Sequence, residues 1–173
     1  MAFGQTAPPP SKSAVQYQKL FTVMQGIMVQ LKKACKTEEC ASLATEGAAI
    51  VTDAQPKQQK GWLVEEDRLV FHDKLDSLLT RVRNAVLANS AAKKNPEVAK
   101  LKIPEGLACH APKPGTKMVV YDEDRCDLCY QVFEQLAEIC ALYLGISPDA
   151  AVICMATATL QFGHCLKEYC GGT

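Results

Sequence analysis

Six of the nine cysteines of this 173-residue chain cluster towards its C-terminus, and their spacing constrains the fold more than any other feature. Between the third and the fourth of them stand Gly145, Ser147, Pro148 and Asp149. A glycine typically ends a helix, and a serine followed by a proline and an acidic residue typically begins the next one. The sequence therefore predicts an antiparallel helical hairpin, with helices over about 124–144 and 148–169 that turn near residue 147.

The cysteine positions also predict how the sulfur atoms pair. Residues that face each other across an antiparallel hairpin have position numbers with a constant sum. Three pairs obey this rule to within two positions: Cys126 with Cys170, Cys129 with Cys165, and Cys140 with Cys154. Since eleven residues make about three helical turns, the two inner pairs also use one face of each helix. We expect these disulfides to stabilise a unit too small to depend on its own core.

Three other interpretations of these cysteines are open at the level of sequence. They could be reduced, small apolar side chains in a cytosolic helix pair. Cys126 could be a redox-active thiolate at a helix N-terminus, although its acidic neighbours disfavour a thiolate there. Cys126 and Cys129 could also form half of a zinc site, with the other half drawn from Cys109, His110, His164 or Cys165. We favour the disulfides, because six mutually consistent positions are a demanding coincidence, and we predict no metal ion, no cofactor and no catalytic residue.

Three helices are predicted in the N-terminal region from the spacing of apolar residues. The first runs over about 14–35 and is capped by Ser13. The second is short, begins after Thr37 and ends at a polar break around Pro56. The third carries an apolar stripe from Phe71 to Val86, and its charged residues are expected on a solvated face.

The fold class is predicted to be all-α, and the chain divides into three regions. A bundle of about three helices is expected over residues 1–92. Four prolines exclude a continuous helix over 93–120, which is expected to be a linker or an arm that lies across another surface. A short extended piece is expected at Val119–Asp124, and the cysteine-rich hairpin occupies 121–173.

The remaining cysteines and histidines have less definite roles. Cys35 and Cys40 flank the turn between the first two helices, where they could pair locally or face the core. Cys109 is then left without a predicted partner. His72 is interpreted as a satisfied surface or boundary histidine, and His164 as a residue without a chemical role.

Charge and hydropathy limit the partners and the compartment. The chain carries 19 basic and 19 acidic residues, so its net charge is zero and nucleic acid is not an expected partner. No apolar stretch reaches the length that a transmembrane segment needs. Pro8, Pro9 and Pro10 interrupt the region where the apolar core of a secretory signal would lie, so no signal is expected. Disulfides need an oxidising compartment, and the mitochondrial intermembrane space receives cysteine-rich chains without a cleaved signal.

The four inner cysteines are spaced as two pairs, each with ten intervening residues: Cys129 and Cys140, then Cys154 and Cys165. This spacing resembles the twin CX9C, or coiled-coil-helix-coiled-coil-helix, family of the mitochondrial intermembrane space. The resemblance implies the bridges Cys129–Cys165 and Cys140–Cys154, import without a cleaved presequence, and oxidation by a disulfide relay. Family proteins are often peripheral subunits or assembly factors of respiratory complexes.

The expected function is therefore a non-catalytic structural or assembly subunit of a respiratory complex, docked on its intermembrane-space side. Its expected partners are other protein subunits, and its position is peripheral to the membrane. A second resemblance offers an alternative: the run CDLCYQVFEQLAEI, which begins at Cys126, resembles the opening of a saposin-like domain. That resemblance implies a secreted lipid-binding protein. A thiol redox or zinc-binding protein is the third alternative.

Overall fold

The computed structural model of the protein describes residue 4 and residues 7–89, 122–143 and 147–171. These residues contain five α-helices and no β-strand, so the described part of the chain is all-α, as predicted. The helices are α1 over Lys12–Ala34, α2 over Glu38–Gln59, α3 over Glu65–Asn89, α4 over Asp122–Tyr143 and α5 over Pro148–Tyr169. The predicted linker over 93–120, with Cys109, lies outside the described residues.

The first helix begins two residues earlier than predicted, because its cap is Ser11 rather than Ser13. The Ser11 hydroxyl accepts a hydrogen bond of 3.1 Å from the backbone N–H of Ala14. Ser13 lies in the first turn, and its hydroxyl donates a 2.7 Å hydrogen bond to the backbone carbonyl of Gly171. The serine that was expected to cap α1 therefore ties the start of α1 to the end of the chain's last described segment.

The second helix begins as predicted but is longer than predicted. The Thr37 hydroxyl caps it by accepting a 3.3 Å hydrogen bond from the N–H of Cys40. Pro56 does not end it, because a proline in the last turn removes only one backbone hydrogen bond and the helix continues to Gln59. The end is set by Gly61, whose positive φ of 74° closes the last turn, with its N–H donating to the Gln58 carbonyl at 2.8 Å.

The residue after that glycine, Trp62, also has a positive φ, of 51°. This conformation is costly for a residue with a large side chain, and it persists only where the surrounding structure compensates for it. Trp62 is buried, with its ring 5.2 Å from the ring of Tyr17 and 5.7 Å from that of Phe71. Burial of the indole in this aromatic cluster holds the loop between α2 and α3 in place.

The C-terminal hairpin closely follows its predicted bounds. Pro148 occupies the first position of α5, and the Ser147 hydroxyl caps the helix by accepting a 3.1 Å hydrogen bond from the N–H of Ala150. The extended piece expected at Val119–Asp124 is wrong for residues 122–124, which belong to α4, while residues 119–121 lie outside the described chain. An acidic first turn favours a helix there, because it meets the positive end of the helix dipole.

The hairpin does not form a core of its own. Helix α5 packs against α1 and α3 as well as against α4, so its apolar residues join those of the N-terminal helices in one cluster. Gly163 permits the close approach of α5 to α3, since a Cβ atom there would lie 2.7 Å from Cδ2 of Leu75. The expected regions 1–92 and 121–173 therefore share one hydrophobic core, because α5 is apolar on more faces than its partner α4 can cover.

Candidate functional site

Three disulfides connect α4 to α5 like the rungs of a ladder. The S–S distances are 2.08, 2.06 and 2.07 Å, and the corresponding Cα–Cα distances are 5.0, 5.6 and 5.4 Å. The bonded pairs are Cys126–Cys170, Cys129–Cys165 and Cys140–Cys154. These are the pairs that the constant sum of positions predicts, because α4 and α5 run antiparallel and are both unbroken between the rungs.

A fourth disulfide, Cys35–Cys40, joins the end of α1 to the first turn of α2, with an S–S distance of 2.03 Å. The sequence left this pair open, because two cysteines beside a tight turn can also face a core separately. In the part of the chain that the structure describes, every cysteine is bonded. All eight of these sulfur-bearing side chains are buried.

The bonding pattern bears on the redox and zinc interpretations. Cys126 and Cys129 are bonded to Cys170 and Cys165, whereas a dithiol redox pair would be bonded to each other, and neither is a free thiolate ligand. Among residues 7–89, 122–143 and 147–171, no three His, Cys, Asp or Glu side chains are grouped to hold a metal ion. His164 instead lies 3.0 Å from the carboxylate of Asp76 on α3. Cys109 and His110 of the zinc interpretation lie outside the described chain.

A buried polar network lies beside the outermost rung and connects α1, α3 and α5. The Tyr17 hydroxyl and Nε2 of His72 share a hydrogen bond of 2.7 Å. The guanidinium of Arg68 donates to the Tyr17 hydroxyl at 3.4 Å and to the backbone carbonyls of Lys167, at 2.9 Å, and Cys170, at 3.4 Å. Arg68 thereby satisfies carbonyl groups at the C-terminal end of α5, where a cation is also favoured by the helix dipole.

Two sequence interpretations are corrected by this network. Arg68 was expected on the solvated face of the third helix, and His72 at a surface or boundary, but their exposed fractions are 6% and 1%. Both residues occupy the i, i+3 and i+4 spacing of the apolar stripe through Phe71 and Leu75, and this spacing is the signal that could have found them. The sequence analysis assigned both residues to the surface because they are polar, although their spacing places them on the buried face of the helix.

Burial sets the charge state of the network. Burial raises the pKa of Tyr17 to about 12, although Arg68 acts in the opposite direction. Burial, assisted by the positive charge of Arg68, lowers the pKa of His72 to about 3. Burial alone would lower the pKa of Arg68, but its hydrogen bonds with Glu65 and Tyr17 outweigh that effect and raise the pKa. At neutral pH Arg68 is therefore a cation with the carboxylate of Glu65 as its counter-ion, while Tyr17 and His72 are neutral, which is an arrangement for joining helices rather than for moving protons.

A groove of about 410 Å³ opens between α1, α4 and α5, on the half of the bundle that contains the hairpin turn. The disulfide Cys140–Cys154 borders it through Cys140. Its largest lining side chains are apolar: Val23, Ile27, Phe133, Val152 and Met155. Gln30 is the one polar residue among the described residues that line it.

On the other half of the bundle, two contacts bridge the same seam between α1 and α4. Lys12 forms a 2.8 Å ion pair with Asp127, and the ammonium of Lys19 stacks 4.0 Å from the centroid of the Tyr130 ring. The seam opens where these long side chains are replaced by small residues, which are Gly26 on α1 with Ala137 and Ala141 on α4. Ala151 is a small residue on the α5 wall. The sequence analysis missed the groove, because which small residues face each other depends on how three helices pack.

No family model, curated protein or solved structure matches this chain. None of the described helices combines the length and the apolar character that crossing a bilayer requires.

Proposed function

We propose that the protein is a non-catalytic structural or assembly subunit of a mitochondrial respiratory complex, docked on the intermembrane-space side. The observation that carries the proposal is the pair of inner rungs, Cys129–Cys165 and Cys140–Cys154, between two antiparallel helices. These are the bridges that the resemblance to the twin CX9C family implies. The proposed partners are other protein subunits of the complex.

The chemistry of the disulfides supports an oxidising compartment for the proposal. Disulfides form and persist where thiols are oxidised, and they are rare where glutathione and thioredoxin keep thiols reduced. Four disulfides, all of them buried, link the described helices. A chain built in this way depends on oxidation for much of its stability, which favours a compartment that supplies it.

Import into isolated mitochondria tests the compartment. The full-length chain, synthesised in reduced form, is expected to become protected from added protease, to remain at its original length, and to become accessible once the outer membrane is ruptured. A variant with Cys129→Ser and Cys165→Ser is expected to be retained less well, because an oxidation that traps the chain inside has been removed. The matched control is Cys35→Ser with Cys40→Ser, which leaves the hairpin unchanged. Wild-type chain that stays outside would contradict the proposal.

Co-purification tests the role within that compartment. Native electrophoresis of mitochondria that express a tagged full-length chain is expected to place it in an assembly much larger than its own 18.8 kDa. Migration only at the size of the free chain, in mitochondria that have imported it, would contradict a role as a subunit or assembly factor.

The alternative of a secreted saposin-like lipid-binding protein is favoured by one observation, which is that the three hairpin disulfides are nested. Cys126–Cys170 encloses Cys129–Cys165, which in turn encloses Cys140–Cys154. This alternative predicts secretion and association of the oxidised protein with liposomes. Sedimentation with liposomes, together with failure of import, would favour it over the mitochondrial proposal.

A further inference from the structure

The groove between α1, α4 and α5 has the chemistry of a site for an apolar ligand. Binding sites for small molecules are concave, mainly apolar and on the order of 300–1,000 Å³ in volume. This groove measures about 410 Å³ and is lined by apolar side chains, with Gln30 as the polar exception among the described lining residues. No charged side chain lines it in the described part of the chain.

Gly26 leaves one part of the groove wall without a side chain. A Cβ atom at Gly26 would meet no atom within 4 Å, whereas one at Gly47 or Gly163 would press against a neighbouring helix. A glycine inside a helix costs roughly 0.5–1 kcal/mol relative to alanine. At Gly26 no contact in the described structure compensates for this cost. Among the described residues nothing lies within 4 Å of that position, so the space beside Gly26 is open to a ligand.

The volume of the groove indicates the size of its occupant. A cavity of roughly 150 Å³ lined by apolar residues accommodates benzene. By the same proportion, the groove has room for an apolar ligand of about sixteen carbon atoms. That is the size of one long acyl chain and less than a phospholipid with two chains.

The two ends of the groove differ, and the difference gives a ligand its direction. At one end the ring of Tyr130, with Lys19 stacked on it, bridges α4 and α1 beyond Phe133. At the other end Lys33 follows Gly26 by seven residues, and so lies on the same face of α1 near the end of the helix. Lys33 is exposed and forms no ion pair within the described residues.

We propose that this groove binds one long-chain fatty acid, with the end of its tail against Phe133 and its carboxylate towards Lys33. The apolar lining supplies the affinity, because it removes the methylene groups from water. The ammonium of Lys33 orients the fatty acid, because it attracts the anionic carboxylate. The inference requires neither the mitochondrial location nor the saposin-like alternative, since it rests on the groove alone.

Displacement of a fluorescent fatty acid tests this inference on the oxidised full-length protein. The probe is cis-parinaric acid, and palmitic acid is the competitor. Gly26→Leu is expected to weaken binding by at least about tenfold, because the new side chain has open space in which to fill the groove. Gly26→Ala is the matched control, and it is expected to bind nearly as well as the wild type. Both variants should fold, since residue 26 meets no neighbouring atom and each replacement favours the helix.

A second pair of variants tests the direction of the ligand. Lys33→Gln is expected to weaken the binding of palmitic acid by up to about fivefold, because the variant loses one exposed ion pair with the carboxylate. Lys32→Gln removes the same charge from a different face of α1 and is expected to leave binding unchanged. For palmityl alcohol, which has no carboxylate, the two variants should not differ.

Three results would overturn the inference. Equal binding of palmitic acid to the wild type and to Gly26→Leu would place the ligand elsewhere. Absence of binding by the wild type, together with self-association that Gly26→Leu abolishes, would assign the groove to a second copy of the chain. Leu101 and Ile103 are apolar residues of the predicted linker over 93–120. Binding that appears only after Leu101→Asp and Ile103→Asp would assign the groove to that linker.

Discussion

Arg68, in the first turns of α3, donates a 2.9 Å hydrogen bond to the backbone carbonyl of Lys167, 99 positions further along the chain. The same guanidinium reaches the hydroxyl of Tyr17 on α1, so that one side chain connects three helices. The connection lies beside Cys170, whose carbonyl also accepts from Arg68 and whose sulfur forms the outermost rung. This relationship makes the hairpin part of the bundle rather than an appendage to it.

Replacement of Arg68 is expected to be far more destabilising than replacement of another arginine of the same helix. Arg68→Met removes the donor from the buried carbonyl of Cys170, from the partly buried carbonyl of Lys167 and from Tyr17, and should lower the free energy of unfolding by about 2–4 kcal/mol. Arg81→Met removes an ion pair with Glu46 that is largely exposed, and should cost less than about 1 kcal/mol. Urea unfolding of the oxidised proteins, followed by circular dichroism, measures both values. Equal losses would contradict the structural role of Arg68.

His72 should make the protein sensitive to moderate acid. The pKa of His72 is about 3 in the folded protein, against the ordinary histidine value of 6.5 in the unfolded chain. Between pH 3 and pH 6.5 the unfolded chain therefore binds a proton at His72 and the folded protein does not. The contribution of His72 is therefore complete above pH 6.5 and is lost as the pH falls towards 3, by about 1.4 kcal/mol for each pH unit. His72→Gln should remove this component from the pH dependence of unfolding.

Two glycines should respond in opposite ways to the same substitution. Gly26→Ala should raise the free energy of unfolding by roughly 0.5–1 kcal/mol, because the new methyl group meets open space. Gly47→Ala gains the same helix propensity, but its methyl group would press on Met28 and lie 3.1 Å from Cδ2 of Leu78. Overpacking of a core costs typically about 1–3 kcal/mol, so this variant should be less stable than the wild type. Thermal unfolding measures both changes, and stabilisation by both substitutions would show that the contact of α1 with α2 and α3 is loose.

The disulfides should contribute according to the length of chain that each one closes. The cysteines of Cys140–Cys154 are 14 positions apart, and replacing both with alanine should cost about 3 kcal/mol in the chain-entropy estimate. Those of Cys35–Cys40 are only 5 positions apart, and their replacement should cost about 1 kcal/mol less. Guanidinium unfolding of the two double variants gives the comparison. A larger loss for the Cys35–Cys40 variant would mean that packing, rather than loop closure, determines the effect.

The features that the sequence predicts correctly are those fixed by local chemistry or by regular spacing. The Thr37 and Ser147 caps depend on residues within one turn, and the bounds of the hairpin follow from a serine and a proline in succession. The disulfide pairs could be derived because helical geometry turns sequence spacing into height along a rod. The position of each cysteine in the sequence therefore determines which cysteine on the other helix it can face.

The features that the sequence did not predict depend on contacts between distant segments. Arg68 can be buried because a backbone carbonyl of α5 accepts its hydrogen bond, and His72 because Tyr17 of α1 bonds with it. No local sequence pattern indicates these partners. Ser13 was expected to act locally but bonds with Gly171, 158 positions away. The groove beside Gly26 exists only because three helices leave their small residues at one place.

The central claim is that α4 and α5 are joined by three nested disulfides, and mapping of the unreduced protein tests it most directly. Free thiols are first blocked by alkylation, and the chain is then cut with trypsin, chymotrypsin and endoproteinase Asp-N. Cleavage before Asp127 separates Cys126 from Cys129, so that their partners can be told apart by mass spectrometry. The account predicts cross-linked peptides for Cys126–Cys170, Cys129–Cys165 and Cys140–Cys154. Alkylation of these cysteines, or a peptide that joins Cys126 to Cys129, would contradict it.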